Sequence, residues 1–325
     1  MPPQVICLGA VNLDLKYQVE DLAGFLKEWG IGLVRGGEEA VAREEEARLQ
    51  DLLARYGRPA GRCSGGGAAN TAYALARLGI SVALVGRVGQ DADGEFIKES
   101  LAGVDLTHMV TRGESGRAYI LVGPAGERTT LVAPNTNDDL EERDIPWKVL
   151  ENATFLHFTV FAGDGPLALQ GSLAARVPET VRLSLDPGEL YARRGWPAIE
   201  AILDHLETLL VTETEWQLFG GDIDVHPYWA PPVVVIKRGA RGARLLTPLR
   251  HLDFPVELAG DLMDTRGAGD VFAAGYLAGR LAGLHLNRCV RLGNRAAAVS
   301  LRGAGRESYP DKTFLERQVE LLQQE

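Results

Sequence analysis

Cysteine is scarce. The 325-residue chain holds three, Cys7, Cys63 and Cys289. They lie far apart, are odd in number and form no Cys-x-x-Cys pair, so they read as reduced thiols in a cytoplasmic protein. With so few cysteines and six scattered histidines, a structural zinc site is not expected. No apolar run approaches the length that spans a bilayer, and the opening Met-Pro-Pro-Gln-Val does not read as a signal peptide, so no membrane partner is expected. Positive charge is in deficit: 34 Lys and Arg against 44 Asp and Glu leave a net charge of −10. Without a basic block, a nucleic-acid polymer is not an expected partner. No Gly-x-x-x-x-Gly-Lys-Ser/Thr stretch occurs, which excludes a P-loop as the ATP site. The glycine-rich loops fail the Gly-x-Gly-x-x-Gly spacing, which argues against a dinucleotide-dependent dehydrogenase. Internal repeats and low-complexity segments are absent.

What is present suits one large α/β domain with a small appendage, since 46% of the residues are hydrophobic. Short apolar runs at 5–8, 81–86, 155–158, 182–185, 209–211 and 233–236 read as buried strands. Helical segments at 68–78, 94–101, 165–176, 198–206 and 213–218 alternate with them. That alternation predicts a mostly parallel sheet with helices on both faces. Runs at 117–122 and 129–132 read as a hairpin, 243–246 and 253–258 as a further strand pair, and 269–282, 286–301 and 313–322 as closing helices. Residues 20–62 are the least regular. Val41, Leu49, Leu52, Leu53 and Tyr56 fit one helical stripe over 38–56, so this stretch reads as a largely helical insertion, either a lid or a solvated helix without a role in closure.

Three stretches carry candidate chemistry. In Asp264-Thr265-Arg266-Gly267-Ala268-Gly269-Asp270 the glycines open an apolar helix. Bare N–H groups and the positive end of the helix dipole form an anion site there, with the Asp270 carboxylate beside it. A carboxylate that takes a hydroxyl proton while N–H groups hold developing charge suits phosphoryl transfer to an alcohol. The alternative is an ordinary capping aspartate. Ser64-Gly65-Gly66-Gly67-Ala68-Ala69-Asn70 opens a second helix, where glycines let a ligand lie against the backbone. Asn12 and Asp14 follow the first strand on one side of the chain, where open α/β sheets keep ligand groups, although Asp14 also fits a solvated loop.

Asp-Thr-x-Gly-Ala-Gly-Asp resembles the C-terminal signature of the ribokinase (PfkB) family of sugar and nucleoside kinases. Gly65-Gly66-Gly67-Ala-Ala-Asn70, Gly86-Arg-Val-Gly89-Gln-Asp91-x-x-Gly94, Leu185-Asp186-Pro187-Gly188 and Lys237-x-Gly239-x-x-Gly242 resemble further blocks of the family in the same order, so the likeness covers nearly the whole chain. It implies a ribokinase-like three-layer αβα sandwich: one kinase domain over 1–325, with a small lid from about 15–62 and 115–135. It implies ATP as phosphoryl donor, Mg²⁺, a monovalent cation of the potassium type, a small-molecule acceptor, and a monomer or homodimer. Asp270 is then the catalytic base, and Gly267, Ala268 and Gly269 the anion hole. Asp14, Gly66, Gly67 and Asn70 become contacts to substrate hydroxyls. Lys237, Gly239, Gly242 and Asn294 fall at the nucleotide, with Asn294 near the adenine. Asp264, the Arg266 carbonyl and the loop from Gly303 to Ser308 resemble the monovalent-cation site.

The family's usual Asn-x-x-Glu is replaced here by Thr212-Glu213-Thr214-Glu215. Glu215 retains the oxygen chemistry to hold Mg²⁺ through a water; Thr212 offers a hydroxyl where the family has an amide. Arg266, in the variable place of the signature, either stabilises transferred charge or pairs with an acid. The helix dipole predicts that Asp270 is a weak base. The expected acceptor is a sugar or sugar-like hydroxyl, with a nucleoside as the alternative and a non-catalytic binding protein on the same fold as the third reading. Phe25, Trp29 and Tyr17 are candidate walls for a base, Asn137 a further candidate for sugar hydroxyls, and Arg35, Arg117 and Arg128 for a substrate phosphate.

Overall fold

A computed structural model of the chain describes residues 2–30, 37–256, 267–303 and 305–325. Its strands in chain order are β1 (Val5–Leu8), β2 (Asn12–Val19), β3 (Glu38–Ala40), β4 (Gly57–Gly65), β5 (Val82–Val88), β6 (Met109–Thr111), β7 (Gly116–Val122), β8 (Arg128–Ala133), β9 (Phe155–Thr159), β10 (Arg182–Asp186), β11 (Thr208–Thr212), β12 (Val233–Lys237), β13 (Ala243–Thr247) and β14 (Arg250–Phe254).

Nine of these form one sheet in the order β14-β13-β12-β11-β10-β9-β1-β5-β6. The strands from β12 to β6 pair in parallel, and β13 and β14 add an antiparallel hairpin at one edge. The apolar runs are continuous because both faces are covered. Alternate residues of β1 enter different cores: Val5 and Cys7 join one, Ile6 and Leu8 the other. The first core packs beneath helices Gly67–Arg77, Ala268–Leu281 and Leu286–Ser300, and the second beneath Asp164–Arg176 and Glu213–Leu218. The expected αβα layering is therefore present. The strand order reverses at β1, which lies between β5 and β9, and such reversals open a crevice at the carboxyl ends of the strands.

A second sheet, β3-β8-β7-β2-β4, stands beside the first. Its own core joins Val19, Phe25, Trp29, Leu49, Leu53 and Leu131. The single helical stripe expected over 38–56 is not what forms. Glu38–Ala40 pairs with β8 as a strand, and the helix begins only at Glu46. The edge of β8 supplies open backbone groups, and Val41 N–H donates to Val132 O at 2.7 Å; this tertiary pairing overrides the local helical pattern. The residues after Tyr56 then run as β4 against β2. The insertion expected to be largely helical is thus half sheet.

Candidate active site

Helix Ala268–Leu281 starts at Gly267, which is left-handed at φ 70°, and no side chain caps it among the described residues. A Cβ at Gly267 would lie 2.3 Å from the Tyr309 hydroxyl oxygen, so glycine is required twice over, by backbone and by space. The uncapped first turn leaves N–H groups to point outward. Asp270 lies in that turn.

The Asp270 carboxylate is not the weak base that the helix dipole alone predicts. Burial among protein groups, together with the charge of Asp186, pushes it up to about 7, against the lowering effects of Asn70, Lys237 and Arg306. Desolvation outweighs the dipole because the carboxylate sits inside the crevice rather than on a solvated helix end.

The glycine run at the end of β4 faces this turn. Gly66 holds φ 92°, and a Cβ there would lie 2.3 Å from the Ala10 carbonyl oxygen. A Cβ at Gly65 would lie 2.1 Å from Asp14 Oδ1, so the bare glycine lets the Asp14 side chain lie against the backbone. Gly67 begins helix Gly67–Arg77, and a Cβ there would meet Thr159 at 3.3 Å. One turn on, Asn70 Nδ2 donates to Asp270 Oδ2 at 2.8 Å. The two glycine-opened helices are thus tied together at the site by one hydrogen bond.

Three neighbouring parallel strands end beside it. Asp186, Thr212 and Lys237 are the last residues of β10, β11 and β12, and Thr212 and Lys237 are partners in register. Lys237 Nζ bonds Asp186 Oδ2 at 2.5 Å. Burial works against the ammonium, but Asp186 and Glu215 hold its pKa above the ordinary lysine value. A Cβ on Gly269 would lie 3.4 Å from Nζ, which places the ammonium beside the uncapped helix start. Lys237, still paired with Asp186, thereby brings its ammonium to the same turn as the uncapped N–H groups.

The Thr212 substitution has a local explanation. Thr212 Oγ1 accepts from Glu215 N–H at 3.2 Å, and Glu215 Oε2 accepts from Thr212 N–H at 2.7 Å, closing a capping box on helix Glu213–Leu218. Burial, then Asp186, raise the Glu215 carboxyl.

The turn at 267–269 stands between two cavities. One, of about 210 Å³, is lined by Lys237, Gly239, Gly242, Ala268, Gly269 and Asn294, so all four residues expected at the nucleotide meet there. Asn294 Nδ2 donates to Phe254 O at 2.9 Å, which fixes its amide in the wall. The other cavity, of about 280 Å³, is lined by Asp14, Asn70 and Gly267 together with Arg62, Tyr73 and Arg306.

Several expected residues fall elsewhere. Asn137 is fully buried and clamps the chain at Val11, accepting from its N–H at 3.0 Å and donating to its carbonyl at 3.1 Å and to Asn12 Oδ1 at 2.8 Å; it is a strut, not a hydroxyl contact. Phe25 and Trp29 are consumed by the core of the second sheet, and Tyr17 packs against that core. Arg117 is committed to Asp93 and Glu46, and Arg128 is exposed on β8. Arg35, Asp264 and Arg266 lie outside the described residues. In the loop expected to hold a monovalent cation, Ser308 Oγ donates to Ser300 O at 2.7 Å, and a Cβ at Gly303 would crowd Ser308 Cβ at 2.8 Å. Among the described residues no group of three or more His, Cys, Asp or Glu is arranged to hold a metal, and no helix is long and apolar enough to cross a membrane.

Two site residues escaped the sequence reading. Asp186 stood within a noted block without a role. Arg306 stood within the 303–308 loop, noted only for a cation: its Nε and Nη2 donate to Asn70 Oδ1 at 3.1 and 2.8 Å from a position 236 residues away.

A family model for the pfkB family carbohydrate kinases matches residues 48–312. The chain belongs to that family. This kinase is 33% identical over 263 residues to an ATP-dependent ribose-1-phosphate kinase from Halopiger xanaduensis, covering 77% of this chain and 84% of that protein. It is 32% identical over 245 residues to an uncharacterized sugar kinase from Archaeoglobus fulgidus, covering 73% of this chain and 98% of that protein. The solved structure of an adenosine kinase from Sinorhizobium meliloti matches 98% of this chain and 99% of its own at a TM-score of 0.83 and 21% identity, which shows the shared ribokinase-like fold. The kinase is accordingly a phosphotransferase with a hydroxyl acceptor, from a family whose ATP-dependent members use ATP. Family membership removes the non-catalytic and dehydrogenase readings.

Proposed function

We propose that the kinase transfers the γ-phosphoryl group of ATP to a hydroxyl of a sugar, with Asp270 as the base. The observation that carries this reading is the place of the 267–269 turn. It lies between the cavity holding Lys237 and Asn294 and the cavity holding Asp14 and Asn70. ATP occupies the first with its γ-phosphate at the turn. The acceptor occupies the second with one hydroxyl toward Asp270. The hydroxyl oxygen bonds to the γ-phosphorus, the bond to the β–γ bridging oxygen breaks, ADP leaves with the electron pair, and the proton passes to Asp270. Gly267, Ala268 and Gly269 present their N–H groups, and Lys237 its ammonium, to the charge on the transferred group. Such a reaction needs positioning and charge neutralisation more than covalent chemistry.

The site residues fit a hard divalent cation. Asp186 and Glu215 are oxygen donors; burial first, and then the charge of Asp186, raise the Glu215 carboxyl, and a cation bound there would offset that charge. Glu215 Oε2 is engaged with Thr212, which leaves Oε1 as the oxygen that would hold a hydrated Mg²⁺. When bound, Mg²⁺ neutralises phosphate oxygens. A monovalent cation near Asp264 and the 303–308 loop remains part of this proposal. The second sheet acts as a lid over the acceptor cavity, to which its strands contribute Asp14, Arg62, Cys63 and Ser64.

A sugar is favoured over a nucleoside for two reasons. Of the residues expected to stack on a base, Phe25 and Trp29 are buried in the lid core and Tyr17 packs against it, and relatives over 30% identical bear sugar-kinase or ribose-phosphate-kinase names. ADP release with ATP and Mg²⁺, with and without K⁺, against free sugars, sugar phosphates and nucleosides tests the reading. Turnover confined to nucleosides overturns the sugar acceptor; ATP binding without turnover on any of them overturns the assigned chemistry.

A further inference from the structure

The lining of the acceptor cavity sets two guanidinium groups against one carboxylate, Asp14, a net positive charge that a neutral sugar does not require. The guanidinium groups are those of Arg62 at the end of β4 and Arg306 in the loop before the last helix. The chain has an acidic excess, 44 acidic residues to 34 basic, yet neither arginine forms an ion pair among the described residues. Arg117, the arginine expected to serve a phosphate, is by contrast committed to two carboxylates.

Arg306 is held in place by neutral partners. Nε and Nη2 donate to Asn70 Oδ1, and Nη1 reaches Ser100 Oγ at 3.3 Å. A guanidinium has five N–H groups, so about two remain, one on each terminal nitrogen. Its carbon lies 5.3 Å from the centre of the Tyr73 ring. Arg62 lies over Phe96, 4.5 Å from that ring centre. These aromatic faces therefore bear cations instead of standing open for a base. Guanidinium forks with unused donors match the planar, bidentate recognition of phosphate oxygens. The cavity, at about 280 Å³, is at the small end of ligand pockets and suits a monosaccharide with one charged substituent.

We infer that the acceptor is a sugar that already carries a phosphate, with that phosphate between Arg62 and Arg306 and the reacting hydroxyl toward Asp270. This inference rests on the kinase reading above. The arrangement links three roles in a line: Arg306 donates to Asn70, and Asn70 donates to Asp270. Binding of the phosphate thereby orders the residue that positions the base. The γ-phosphoryl group passes to the hydroxyl oxygen as ADP leaves, Asp270 takes the proton, and the product is a sugar bisphosphate.

Calorimetry on the whole chain without ATP decides the subsite. The probes are ribose 1-phosphate, ribose 5-phosphate, ribose, adenosine, adenosine 5′-monophosphate and inorganic phosphate. A ribose phosphate is expected to bind at least ~10-fold more tightly than ribose or adenosine, the size of one charge-assisted contact. Arg62→Gln and Arg306→Gln should each weaken the ribose phosphate by about 10- to 100-fold. Arg62→Gln should leave ribose within ~3-fold, while Arg62→Lys recovers part of the loss. Equal affinity for ribose or adenosine, equal loss for every probe in Arg62→Gln, or tighter binding of adenosine 5′-monophosphate than of either ribose phosphate overturns the inference. ADP release is scored separately. Binding through both arginines without turnover leaves the anion subsite standing and overturns the kinase chemistry; turnover on neutral ribose without a preference for its phosphates keeps the chemistry and overturns the subsite.

Discussion

Asn70 Nδ2 donates to Asp270 Oδ2 across 2.8 Å, joining helices whose residues lie 200 positions apart. The orientation of the amide is fixed from both sides. Arg306 carries only donors and takes Oδ1, and the carboxylate accepts from Nδ2. The bond stabilises the charged form of Asp270, so it opposes the burial that raises the carboxyl to about 7.

Replacing Asp270 by Asn keeps the volume and removes the proposed base. Turnover should fall at least ~100-fold, the lower range for a positioned base, with ATP affinity retained. Single-turnover kinetics beside a thermal melt checks this. Near-normal turnover in a folded variant removes Asp270 from the role of base.

The pH profile follows from the same carboxyl. As the proposed base, Asp270 acts only when deprotonated, and burial pushes its carboxyl up to about 7. The value of kcat/KM should therefore fall roughly tenfold per pH unit below that point and level above it. Asn70→Ala removes a bond to the charged form, so the acid limb should move upward by ~1 pH unit. A downward or absent shift contradicts the assigned relation.

Glu215 caps helix Glu213–Leu218, and under the proposed function it has a separable second duty, the support of Mg²⁺. Gln at this place keeps a capping box and loses the charge. Glu215→Gln should keep the melting temperature and raise the Mg²⁺ concentration for half-maximal rate. Glu215→Ala should also lose about 1 kcal/mol from the broken cap. An unchanged Mg²⁺ titration in both variants leaves only the cap.

Gly66→Ala introduces a Cβ 2.3 Å from Ala10 O at a backbone φ of 92°. The strain should cost about 1–3 kcal/mol of stability and shift the Asp14 and Asn70 walls of the acceptor cavity. Urea unfolding and the acceptor KM should change together. A variant as stable as the parent would show that the turn relaxes freely.

Local pattern determined much of this protein. Buried parallel strands are short continuous apolar runs, so β1, β5, β9, β11 and β12 stood out without any partner in view. Gly267 and Gly66 were legible because a left-handed backbone against a crowded wall admits little else. The capping box at Thr212 and Glu215 was written in Thr-x-x-Glu as well, although family likeness drew attention to the missing asparagine instead.

Only the tertiary structure decided what contacts between distant segments decide. Glu38–Ala40 is a strand because β8 offers it an edge, while its sequence fits a helix equally. Asn137 was drawn into the backbone at Val11, and Phe25 and Trp29 into the lid core, because burial there satisfies them better than solvent. The dipole argument for Asp270 failed for the same reason. Helix position is written in sequence, but the depth of the crevice and the nearness of Asp186 arise only when β10 and the helix from Ala268 pack together. Arg306 left no local trace of its tie to Asn70. Its role depends on a loop closing over Asn70, and no spacing along a chain encodes that approach.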